Sequence, residues 1–166
     1  PGLSLVVAGG VDWVQGDDVL LDGDEAQQIF GSVVLGAEGP AQLGFYLAQR
    51  HQTTARGGEF DVTVIDVHGA WDQALSEDWQ LSAALEVAFL VGSSTLGASA
   101  ELERRNVRQV GGVLRGSLAG PRYGLVVDTV FATGDRALDD DVQGNFRADP
   151  NFEVGLVLFR HVLAAQ

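Results

Sequence analysis

Along most of this chain apolar residues recur at every second position, and the residues between them are small, polar or charged. In 2–15, Leu3, Leu5, Val7, Val11 and Trp13 share one phase, and Ser4, Ala8, Gly10 and Asp12 share the other. Successive side chains of a strand point to opposite faces, so this alternation predicts a first strand with one apolar face. The second strand, 26–38, keeps Ile29, Gly31, Val33, Leu35 and Ala37 in phase against Gln28, Ser32 and Gly36. Glu38-Gly39-Pro40 is a tight-turn signal. The third strand, 41–52, sets Leu43, Phe45 and Leu47 opposite Gln42, Gly44, Tyr46, Ala48 and Arg50.

The fourth strand, 59–71, changes phase: Phe60, Val62 and Val64 fall on one side, Ile65, Val67 and Trp71 on the other. Either a bulge intervenes or one end of the strand leaves the apolar layer. The second alternative is preferred, which turns Ile65, Val67, Gly69 and Trp71 outward and Asp66, His68 and Ala70 inward. The fifth strand, 79–94, has the cleanest alternation, with Leu81, Ala83, Leu85, Val87, Phe89 and Val91 opposite Gln80, Ser82, Ala84, Glu86 and Ala88. The good helix formers of 81–90 make a helix the competing reading there. The sixth strand, a long one whose middle is 105–120, places Val110, Gly112, Leu114, Gly116 and Leu118 opposite Gln109, Gly111, Val113, Arg115 and Ser117.

The last predicted hairpin is 122–163. Tyr123, Leu125, Val127, Thr129 and Phe131 share a face of the seventh strand, and Phe152, Val154, Leu156 and Leu158 a face of the eighth. The connections alternate in length: long after strand one, short at 38–40, long at 51–58, short at 75–78, intermediate at 93–103, short at 119–121 and longest at 134–150. Outer-membrane barrels pair short periplasmic turns with longer outer loops, and each strand needs about 9–11 residues to cross. The fold expected is all-β: an antiparallel up-and-down transmembrane β-barrel, eight strands in this chain, as a single domain with both ends on the periplasmic side.

Aromatic placement agrees with that expectation. Trp71, Trp79 and Tyr123 fall beside the short turns, and Trp13 and Phe152 near the opposite rim, where amphipathic rings favour a membrane interface. The inward phase carries Asp66, His68, Glu86, Arg115 and Asp128, expected to meet in a salt-bridged lumen. Two other architectures fit the alternation: a small closed barrel that acts as a structural or loop-mediated recognition platform, and a soluble β-sandwich or lipocalin-like binding module.

Composition removes several functions. The formal charge of −13, from 23 acidic residues against 10 arginines and no lysine, disfavours nonspecific nucleic-acid binding. The absence of cysteine excludes disulfides, thiolate metal sites and cysteine nucleophiles. No apolar run approaches the roughly 20 residues of a helical span. The chain begins at Pro1 with no charged-then-apolar leader, which reads as a processed, trimmed or excised start.

Candidate chemistry is sparse. Asp139, Asp140 and Asp141, with Asp135 nearby, offer oxygen ligands for calcium, but their spacing matches no EF-hand loop, and a solvated, self-repelling loop is the preferred reading. His51, His68 and His161 lie on separate strands without metal-ligand spacing. Asp66 and His68, two residues apart on one face, read as a polar contact rather than a catalytic pair. Ser82, Ser93 and Ser117 sit in no nucleophile elbow, and the glycine pairs 9–10, 57–58 and 111–112 lack the lysine or helix opening of a phosphate loop. No catalytic residue, cofactor or resident metal is expected. Arg104, Arg105 and Arg108 form a basic cluster that either lines an entrance and attracts anions or pairs with neighbouring acids.

The segment 131–159, FATGDRALDDDVQGNFRADPNFEVGLVLF, adds a resemblance. Its Thr133-Gly134-Asp135, its acidic loop, and Phe146 with Asp149-Pro150 leading into the next strand resemble the closing region of large bacterial outer-membrane barrels of the alginate-export and porin-like type. The resemblance implies a non-catalytic barrel of porin or export-channel type in the outer membrane of a Gram-negative bacterium. Its partners would be the lipid bilayer and the barrel-insertion machinery. Those families have many more strands and end in an aromatic residue, whereas this chain ends HVLAAQ. The expectation is therefore a portion of a larger barrel, completed by further strands or other copies.

Overall fold

The computed structural model describes residues 3–14, 24–95, 104–134 and 141–146. The alternation becomes seven long strands: β1 (Leu5–Val14), β2 (Glu25–Leu35), β3 (Ala41–Thr53), β4 (Glu59–Ala74), β5 (Gln80–Ser94), β6 (Arg105–Ala119) and β7 (Gly124–Ala132). Each pairs antiparallel with the next in chain order, so the topology is up-and-down within one sheet. A two-residue strand, β8 (Val142–Gln143), pairs parallel with the part of β6 that extends past β7. Among the described residues β1 and β7 are the two edges, and the sheet is not closed into a barrel. The predicted eighth strand over 151–163, Phe152 included, lies outside the described residues.

Register follows the hydrophobic pattern because a slip of one residue would exchange the faces. The row Gly9–Gly31–Leu47–Ile65–Phe89–Val110 crosses six strands without interruption. In β4 the pairing is continuous on both sides, so no bulge intervenes. Phe60, Val62 and Val64 belong to the inner face, and Ile65, Val67, Gly69 and Trp71 to the outer one. The fifth element is a strand throughout, and the helical alternative is not realised.

Two turns depend on glycine. Gly36 (φ 73°) donates to the Ser4 carbonyl at 2.8 Å and accepts from Gly39 at 2.8 Å, and a Cβ there would collide with the Ala41 carbonyl. Gly57 (φ 80°) donates to the Thr54 carbonyl at 2.9 Å in the β3–β4 turn. That connection, expected to be long, is the tight turn 54–58, because β3 and β4 continue as a polar hairpin beyond their apolar stretch. Gln49, His51, Asp61 and Thr63 occupy its outer face, and His51 approaches Asp61 at 3.8 Å.

Most packing is on the inner face near the end opposite the tight turns 36–40, 75–79 and 120–123. Val62 and Val107 are 1% exposed, Ala26 and Ala48 are buried, and Gln52, Ser94 and Gln109 are buried beside them. Segment 141–146 joins this packing. Asn106 donates to the Asp141 carbonyl at 2.7 Å, Thr133 Oγ1 to the Gly144 carbonyl at 2.8 Å, and Phe146 N–H to the Thr133 carbonyl at 3.0 Å. The Phe146 ring covers Gly111 on the inner face, while Phe131 covers Gly112 on the outer one, where a Cβ would lie 2.7 Å from the ring. The connection after β7, expected to be a solvated outer loop, therefore returns at 141–146 to fill the edge of β6 that β7 leaves open.

Candidate functional site

The outer face is the largest feature of the molecule. Leu5, Val7 and Val11 on β1 join Ile29, Val33 and Leu35 on β2, then Leu43, Phe45 and Leu47 on β3. The surface continues through Ile65 and Val67, through Leu81–Val91 in alternation, through Leu118, Leu114 and Val110, and through Leu125, Val127 and Phe131. No charged side chain interrupts it. These side chains are open to the surroundings: Leu47, in the middle of the sheet, is 55% exposed, and Leu5 is 60% exposed. Soluble monomers rarely show contiguous apolar patches larger than a few hundred Å².

The belt also has the slant of a tilted sheet. Its midpoint on β1 is Gly9, whose row meets β6 at Val110, yet the midpoint on β6 is Leu114. That displacement over five strand steps, at ~3.3 Å per residue and ~4.8 Å per strand, corresponds to a tilt of roughly 30°. On β5 the apolar stretch from Leu81 to Val91 is about 33 Å along the strand, which tilting shortens toward the ~25 Å band of outer-membrane barrels.

The three tryptophans and Tyr123 lie at the belt's margins. Trp71 is exposed on the outer face at the tight-turn end, opposite Ala41 and Ala83. Trp79 lies across Gly120, where a Cβ would meet its ring at 2.8 Å, and Tyr123, 77% exposed, closes the same turn by accepting from Gly120 N–H at 2.9 Å. Trp13, 64% exposed, marks the other margin.

The inner face gathers the polar residues expected there into two groups. Asp66 lies opposite Tyr46 and beside His68, which is opposite Glu86, and the Asp66 and Glu86 carboxyls are within hydrogen-bonding reach. The His68 imidazole occupies the space over Gly44 that a side chain would fill. The second group is the directly paired Arg115 and Asp128, joined by Nε–Oδ1 at 2.7 Å and Nη2–Oδ2 at 3.2 Å. The expectation of one network thus resolves into a carboxyl–imidazole cluster on β4 and β5 and a two-contact ion pair on β6 and β7.

Sequence reading did not single out Tyr46, which accepts from Gln28 Nε2 at 3.3 Å and stacks on Phe30 with centroids 6.1 Å apart. Its polar phase within LGFYLAQR was the available signal. The ion pair is partly exposed, so its coupling should be modest: a double-mutant cycle with Arg115→Met and Asp128→Asn should yield about 0.5–1 kcal/mol, measured by urea unfolding.

The basic cluster separates. Alternation along β6 puts Arg105 on the inner face opposite Ser94 and Arg108 on the outer face opposite Val91. Arg104 binds Glu59 at 2.8 Å. A single entrance lined by all three is not formed. Asp135, Asp139 and Asp140 lie outside the described residues, and among the described residues no cluster of histidines and carboxylates is arranged to hold a metal ion. Comparison with protein-family models, curated proteins and solved structures finds no match to this chain.

Proposed function

We propose that this chain is a membrane-spanning β-sheet of an outer-membrane barrel, of porin or export-channel type or derived from one, and that it is non-catalytic. The observation that carries the reading is the uninterrupted apolar belt on the outer face of seven paired strands, backed by a face of glycines, small residues and paired charges. Water makes such a belt costly, whereas hydrocarbon covers it without loss. The inner face supports the same reading, because among the described residues the buried apolar side chains there are two valines and two alanines, a small core for a soluble sandwich.

The lipid bilayer of a Gram-negative outer membrane is the partner that fits this surface, with the insertion machinery acting during biogenesis. Among the described residues β1 and β7 have no partner on their outer edges, which favours completion by further strands, from this chain or from other copies, over a sheet that works alone. Dilution from urea into detergent micelles should give a β-sheet circular-dichroism spectrum and protease resistance, and dilution into buffer alone should give aggregates. A monodisperse β-sheet monomer in buffer would contradict the proposal.

A further inference from the structure

Arg108 breaks the pattern of the outer face. It stands on β6 two residues beyond Val110, where the belt ends, and opposite Val91 on β5. It is exposed and has no ion-pair or hydrogen-bond partner among the described residues, whereas nearby Arg104 is held by Glu59. Beside it is a shallow groove of about 390 Å³ between β5 and β6, whose outer wall is formed by Phe89, Val91 and Val110. One cation therefore overhangs a channel whose outer-face lining is apolar apart from Asn106.

Its height along the sheet gives this arrangement a meaning. From Leu114, the middle of the belt on β6, to Arg108 is about 20 Å along the strand, or ~17 Å along the normal once the strand is tilted by roughly 30°. Half of a typical hydrocarbon core is about 15 Å. The guanidinium thus reaches the layer where phosphates of membrane lipids lie, while the groove descends into the acyl layer. Arginine presents a planar fork of donors matched to phosphate oxygens.

We infer that Arg108 and the β5–β6 groove form a binding site for one anionic phospholipid, with the phosphate of its net-negative headgroup on Arg108 and an acyl chain against Phe89, Val91 and Val110. The site rests on the membrane reading above and adds a ligand to its outer face. Charge complementarity selects the occupant, since an apolar chain alone would leave the arginine unpaired and a free anion would leave the groove empty.

The test uses the whole chain folded in vesicles of phosphatidylglycerol diluted in phosphatidylcholine, then extracted in mild detergent for native mass spectrometry. Wild type should retain phosphatidylglycerol in preference to phosphatidylcholine. Arg108→Gln should lower that retention about tenfold, the scale of one charge-assisted contact. Arg56→Gln, in the β3–β4 turn beyond the belt, should not change it. Equal retention by Arg108→Gln and wild type overturns the inference, as does release of the lipid by inorganic phosphate at concentrations that leave other bound lipid in place. Failure of the chain to enter the vesicles at all overturns the membrane reading, and this site with it.

Discussion

Leu47→Arg is expected to destabilise the folded sheet in a bilayer by about 2–4 kcal/mol, the cost of an arginine on the lipid face near the midplane. Leu47 lies one outer position from Phe45, the middle of the belt on β3, between Gly31 and Ile65, and more than half of its surface is open. In water, replacing so exposed a leucine by arginine would change stability by ~0.5 kcal/mol or less. The two environments therefore predict different outcomes for one substitution. Gln49→Arg, one outer position further along the same strand, should cost only about 0–1 kcal/mol, because it approaches the interface. Urea titrations of the chain folded into phosphatidylcholine vesicles measure both, and equal small costs at the two positions would contradict a lipid-facing belt.

The second large effect belongs to the inner face. Gly92→Ala should destabilise the sheet by about 1–3 kcal/mol, toward the upper end because the opposing atoms are backbone and cannot rotate away. Gly92 pairs with Val62, and a Cβ there would collide with the Asp61 carbonyl and lie 2.8 Å from the Val62 Cα. Accommodation would force β4 and β5 apart where Val62 is fully buried. Gly116→Ala is the matched control: it lies on the outer face of β6 with open space where its Cβ would stand, and should change stability by less than about 1 kcal/mol. Thermal or urea unfolding in micelles distinguishes the two, and a neutral Gly92→Ala would show that the close approach is not required.

The faces of the strands were legible because apolar side chains alternate with small, polar or charged ones at the same period as the backbone. Even β4 could be read, since Phe60, Val62 and Val64 shift phase only relative to the belt and not relative to the backbone. What could not be read was set by contacts distant in sequence. The two-residue β8 depends on Asp141 meeting Asn106 and on Phe146 meeting Gly111, and no local periodicity marks either. The β3–β4 turn was counted among the long connections because the polar run 51–58 looks like loop, although His51 and Gln52 continue the ladder past the apolar layer.

The candidate site divides in the same way. Asp66, His68, Glu86, Arg115 and Asp128 were assigned to one face by parity alone, and the register gives them one face of the sheet in common. Their grouping needed the register, which sets Arg115 directly opposite Asp128 and Glu86 opposite His68. Arg104, Arg105 and Arg108 looked like one cluster because they are close in sequence. A strand sends Arg105 and Arg108 to opposite faces, and that separation puts Arg108 beside the groove with no charged partner among the described residues.

The central claim is that the outer face of this sheet contacts hydrocarbon. Its most direct test is fluorescence quenching by lipids brominated near the bilayer centre, with single tryptophans introduced at Phe45 or at Ala88 in a chain whose native tryptophans are replaced by phenylalanine. Phe45 is on the outer face and Ala88 on the inner one. Strong quenching at Phe45→Trp and little at Ala88→Trp is the predicted result. Quenching of Phe45→Trp by aqueous acrylamide but not by brominated lipid would contradict the account.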